Sequence, residues 1–165
     1  MARYMRIFDS FYLLLLGVGV GGIIACGAFS APIIFNIDRF IPSFSKMDSG
    51  LVMGKIFVRL NVYLVFLAII IALYESFSFF ARILKLKIVY SNFWPILGVL
   101  NIILIALFVY YYTPFILDIQ NLSSDKFLSM HEQSVWVFKA LMFTLSALFI
   151  WRLYLLHYVS QSIKK

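Results

Sequence analysis

Asp38, Arg59, His131 and Ser134 carry the side chains from which this chain could build chemistry. They stand out because 64% of the residues are apolar and only 13% are charged, and a polar or ionised group kept at membrane depth is costly enough to call for a role. His131 and Ser134 are three positions apart, which on a helix places them on one face. An imidazole there can accept a proton or ligate a metal, with the hydroxyl holding it or its partner. A helix-entry histidine bonded to a loop carbonyl satisfies the same spacing. The planar guanidinium of Arg59 suits a carboxylate or an anionic ligand, and Asp38 is its natural partner by depth. The alternative for Arg59 is snorkelling to the lipid surface. Glu75, near Ser76, Ser78 and Arg82, reads as an interfacial acid, with a proton-relay acid as the alternative.

Several chemistries are excluded. His131 and His157 lie on one apparent helix, about 39 Å apart by rise, so they cannot share a haem or a zinc ion within one chain. Gly17, Gly19, Gly21 and Gly22 lack the Lys-Ser/Thr pair of a phosphate-binding loop, and no Gly-x-Ser-x-Gly elbow occurs. Met47, Met53, Met130 and His131 are soft ligand types that suit copper, but in no metal-motif spacing, so His131 and Met130 are weak metal candidates only. Neither an enzyme nor a cofactor is expected. The lone Cys26 cannot form an intramolecular disulfide and reads as a small hydrophobe.

The elements that must position these residues are four apolar runs, at 11–35, 56–80, 93–117 and 134–158. A helix of about 20 apolar residues crosses roughly 30 Å of hydrocarbon. The runs are continuous, with Leu64 to Leu73 apolar throughout, whereas a barrel strand alternates. Mean hydropathy is +0.99. The expectation is an all-α, polytopic membrane protein: an antiparallel four-transmembrane-helix bundle forming one domain over residues 1–165.

The net charge of +7 sits mostly at helix ends, which favours anionic lipid and topology retention over nucleic acid. Arg3 and Arg6 precede an apolar run longer than a signal peptide needs. Ile23-Ile24-Ala25-Cys26 resembles a lipobox, yet the run continues to Phe35, so an uncleaved first helix is the better reading. Eight basic residues against six, with a purely basic loop from Ala81 to Asn92, place both termini in the cytoplasm of a bacterial inner membrane. Tyr110, Tyr111, Tyr112 and Trp94 read as interfacial anchors. Gly17, Gly21 and Ala25 recur every four residues as a helix-packing face. The lipid bilayer is the first partner, and small size suggests a homodimer or a larger membrane complex.

In order along the chain come Ala31-Pro32 with Phe35, Gly50 and Gly54 before Ile56-Phe57 and Arg59, Pro114, and Phe127 with a His131-x-x-Ser134 signature. With this set the chain resembles the transmembrane-protein-205-like family of small four-helix membrane proteins, a domain of unknown function. It departs from the family pattern at Val58, where proline is expected, and at Phe138, where asparagine is expected. The resemblance implies that the histidine–serine pair belongs to a shared outer-edge site. Pro32 and Pro114 would each free a carbonyl, for which Arg59, His131 and Ser134 are candidate donors. The expected function is handling of a small solute, ion or metal through a polar outer vestibule; the alternative is a structural or accessory subunit of a larger membrane complex.

Overall fold

The structure, a computed structural model, describes residues 2–84, 94–121 and 124–162. The basic loop at 85–93, the terminal lysines, and the side-chain roles expected of Trp94 and His157 lie outside the described residues. The helices are α1 (Ala2–Ile24), α2 (Ala31–Ile34), α3 (Lys46–Ile83), α4 (Trp94–Ala106), α5 (Thr113–Leu117) and α6 (Phe127–Ser162), with no strand among the described residues. They supply four helices long and apolar enough to cross a membrane, Ile7–Ile34, Lys46–Ala81, Pro95–Leu117 and Phe127–Leu156. The protein is therefore an integral membrane protein of the expected all-α class.

Two helices begin earlier than the apolar runs suggest. The second starts at Lys46 rather than 56 because Ser45 and Asp48 form a capping box. The Ser45 N–H donates to Asp48 Oδ2 at 3.0 Å, and the Asp48 N–H donates to Ser45 Oγ at 3.1 Å. Two otherwise orphaned donors are thereby satisfied. The last helix starts at Phe127 rather than 134, and Gln133 bonds back one turn to Ser129 Oγ at 3.1 Å on this polar extension.

Spans one and four, four and three, three and two, and two and one are neighbours, a closed ring around one core. Each span presents a stripe with steps of three and four. Asp9, Tyr12, Leu16, Gly19 and Ile23 line the first; Leu60, Leu64, Leu67, Ile71, Glu75 and Ser78 line the second. Leu97, Asn101, Ile105 and Phe108 line the third; Ser134, Phe138, Leu141, Leu145, Leu148 and Arg152 line the fourth. This near-heptad spacing keeps one seam toward the neighbouring helices. Helix approach depends on Gly19 and Gly27, where a Cβ would come within 2.6 Å of Leu67 and 2.7 Å of the Phe138 ring. The expected face of Gly17, Gly21 and Ala25 is not the packing face: Gly21 and Ala25 are exposed, and a Cβ on Gly21 would meet nothing. The reason is angular, since Gly21 lies two residues, about 200°, from the buried Gly19.

Spans one and three share a second device. Each carries a π-helical turn, Ala25–Ser30 and Leu107–Tyr112, just before Pro32 and Pro114. Proline lacks the N–H and crowds the carbonyl four residues back, so the chain inserts one wider turn. Side chains of the turns themselves bond to nearby carbonyls, and Ser134 donates to the His131 carbonyl of its own helix. Ser30 Oγ donates to Ala25 O at 2.9 Å, Asn36 Nδ2 to Pro32 O at 2.8 Å, and Thr113 Oγ1 to Phe108 O at 2.8 Å.

Candidate functional site: a buried charged network at the terminal end of the bundle

The end of the bundle nearest the chain termini gathers charge inside the ring of helices. Asp9 enters from α1, Tyr74 and Glu75 from α3, and Arg152 from α6. Each is the continuation of its helix's apolar stripe, so the same periodicity that buries leucines one or two turns away buries them too. Arg152 Nη2 meets Asp9 Oδ1 at 2.7 Å, with Arg152 1% exposed. The Tyr74 hydroxyl donates to the same Asp9 oxygen. The guanidinium lies over the Tyr74 ring at 4.5 Å, where the π face favours a cation. Tyr12 stacks on Tyr74 with centroids 3.9 Å apart, and its hydroxyl donates to Glu75 Oε1 at 3.5 Å.

Glu75 is not the interfacial acid expected from its distance along the helix: it is 8% exposed. It is admitted by Gly98, where a Cβ would stand 3.0 Å from Glu75 Cγ. Arg152, inside the apolar run at 134–158, is likewise a core residue. The network thus holds two carboxyls, two phenols and one guanidinium. It can bind and orient a proton or hold helices in register; a lone buried acid could do neither without partners.

At the other end the expected site does not assemble. Asp38 is exposed in a one-turn 3₁₀ segment (Ile37–Arg39), and Arg59 is exposed on α3. Among the described residues the ion pair is Asp9–Arg152, and none joins Asp38 to Arg59. His131 is half-buried with its imidazole stacked on Phe127 at 6.2 Å, and its buried Nδ1 has no hydrogen-bond partner among the described residues. Ser134 does not hold that imidazole, because its hydroxyl donates to the His131 carbonyl at 2.6 Å. A plug of Phe57, Phe108 and Phe138, with centroids 4.9–5.8 Å apart, fills the core on the Ser134 stripe. Met53 is buried while Met47 is exposed. Among the described residues, no group of three or more His, Cys, Asp or Glu could hold a metal ion.

Asp9, Tyr12 and Arg152 escaped the sequence reading because they lie near the ends of apolar runs, where charge reads as interfacial. The available signal was the stripe itself: extending Leu141, Leu145 and Leu148 by four residues lands on Arg152, and stepping back from Leu16 lands on Tyr12 and Asp9.

The family described as Domain of unknown function (DUF4149) matches residues 14–125, and the chain belongs to that family. The match includes Arg59, Tyr74 and Glu75 and falls between Asp9 and His131. No curated protein and no solved structure matches the chain.

Proposed function

We propose that this member of the DUF4149 family is a non-enzymatic, multi-pass inner-membrane protein that handles a proton within its bundle, with Glu75 as the exchanging carboxyl. One observation carries the reading. Two acids lie buried in the same polar network; Arg152 ion-pairs with Asp9, whereas Glu75 meets the neutral hydroxyl of Tyr12. An ionisable group within a span is costly and marks ion or proton pathways, and a carboxyl exchanges a proton without the multi-ligand cage that a metal needs. Both termini in the cytoplasm and kinship with the transmembrane-protein-205-like proteins belong to the same reading. The proton site thereby moves from the rim around His131 to the opposite end of the bundle.

The test is proton flux into vesicles reconstituted with the protein and loaded with a pH-sensitive dye. Glu75→Gln keeps size and hydrogen-bonding shape and is expected to abolish the flux, while His131→Ala leaves it unchanged. Wild-type vesicles no leakier than protein-free ones, or a Glu75→Gln flux equal to wild type, overturn the proposal.

A second reading, an accessory subunit packed against another membrane protein, is favoured by exposed Gly21 and Ala25 on the first span, since small residues let helix backbones approach. Gly21→Phe is then expected to release a stoichiometric partner that co-purifies with the wild type, while proton flux stays at the protein-free level.

A further inference from the structure

The fourth span carries a second stripe on its outer side. Glu132, Trp136, Lys139, Phe143 and Ile150 each stand two residues before a core position, about 200° round the helix from it. All five are exposed. The stripe is graded along the span, with an acid nearest the proline end, then an indole, then a base, then hydrocarbon. The base is the anomaly. Lys139 stands inside the apolar window Phe127–Leu156, roughly 18 Å of rise beyond the helix start at Phe127, and it turns away from the core. No carboxylate pairs with it among the described residues.

Two neighbours on the stripe define how that charge is met. The Lys139 ammonium sits 4.9 Å from the centroid of the Trp136 ring, one turn nearer the proline end. The side chain therefore leans toward the membrane surface, along an aromatic of the kind that sits at headgroup level. One further turn out stands Glu132, also without an ion-pair partner among the described residues. By rise the two charged residues are about 10 Å apart, and no ion pair joins them. The cation is thus held deeper and the carboxylate further out, with the indole between them. A phospholipid headgroup that carries an amine has the complementary order: its phosphate joins the glycerol and lies deeper, and its ammonium extends outward. An anionic headgroup without an amine leaves Glu132 unmatched. A choline headgroup offers no N–H, and a carboxylate can only accept, so a primary ammonium that donates to it is the better match.

We propose that the outer stripe of the fourth span binds phosphatidylethanolamine at the proline end of the bundle. The Lys139 ammonium holds the lipid phosphate, the Glu132 carboxylate accepts from the lipid ammonium, and an acyl chain lies along Phe143 and Ile150. The fit depends on the order of charges along the membrane normal, so it holds whichever leaflet the proline end faces. The stripe shares no residue with the Glu75 network, and the proton reading and this one stand or fall separately.

The experiment titrates the full chain in detergent micelles with dioleoyl phospholipids and reads the affinity of the first bound lipid by native mass spectrometry. Phosphatidylethanolamine is expected to bind about fivefold tighter than phosphatidylcholine or phosphatidylglycerol, the scale of one exposed charge pair. Glu132→Gln is expected to erase that preference, and Glu132→Lys to turn it toward phosphatidylglycerol. Lys139→Met is expected to weaken all three lipids alike. Arg59→Met, which removes an exposed cation of the second span, is expected to leave the preference in place. No preference in the wild type, a preference that survives Glu132→Gln or is lost in Arg59→Met, or undiminished binding by Lys139→Met overturns the proposal. The substituted positions are all exposed, where folding changes little, and the three-lipid comparison on the unaltered chain decides by itself should a variant not fold.

Discussion

The two ends of this bundle use their polar residues differently. At the terminal end, Asp9, Tyr12, Tyr74, Glu75 and Arg152 converge from three spans into contacts within the core. At the proline end, Asp38 and Arg59 point outward, and Ser134 turns back on its own helix. The difference is one of register. A charged residue that falls on the repeating core position is buried and must find partners; one that falls a residue or two aside is exposed and needs none. At membrane depth a charge is costly and calls for partners inside the bundle, whereas Asp38 lies outside the four apolar spans and a long side chain such as that of Arg59 snorkels to the lipid surface.

The largest effect that tests this comparison is expected from Arg152→Met, which leaves Asp9 buried without its cation. A loss of about 3–5 kcal/mol is expected, read by unfolding in detergent micelles. Adding Asp9→Asn to that variant is expected to recover part of the loss, with a coupling energy of about 0.5–3 kcal/mol. Additive effects would mean that the pair is not a unit and would erase the contrast between the ends.

A middle effect sharpens the register argument within one helix. Gly19→Leu drives a side chain into Leu67 and Leu145 and is expected to cost about 1–3 kcal/mol. Gly21→Leu, two residues on and facing open space, is expected to stay within about 0.5 kcal/mol of wild type by the same unfolding assay. Equal costs would contradict the assigned inner face of the first span.

The smallest effect belongs to the edge. His131→Ala removes an imidazole whose Nδ1 has no partner among the described residues, and a change within about 0.5 kcal/mol is expected on unfolding. A loss as large as that of Arg152→Met would reverse the ranking of the two ends.

Much of the architecture was legible residue by residue. Unbroken runs such as Leu64 to Leu73 announced spanning helices, and Ser45-x-x-Asp48 carried the capping box that starts the second one. The candidate site was less legible. Three-residue spacing correctly put His131 and Ser134 on one face, but it said nothing about whether a hydroxyl would choose the imidazole or the nearer carbonyl. Helices make that carbonyl available within one turn, and it won. Glu75 was assigned by its distance along the helix, which measures depth and carries no information about which side of the helix faces a neighbour.

Composition and periodicity alone determined that this chain forms long apolar helices, because lipid leaves a backbone of this hydropathy no other continuous way to satisfy its N–H and C=O groups. They also carried, unread, the stripe that buries Asp9, Glu75 and Arg152. Only the packed bundle decided which acid meets the guanidinium, which meets a phenol, and which glycines let the helices close. Those outcomes depend on side chains from different spans arriving at the same height, a relation set by helix rotation and offset that no single segment encodes.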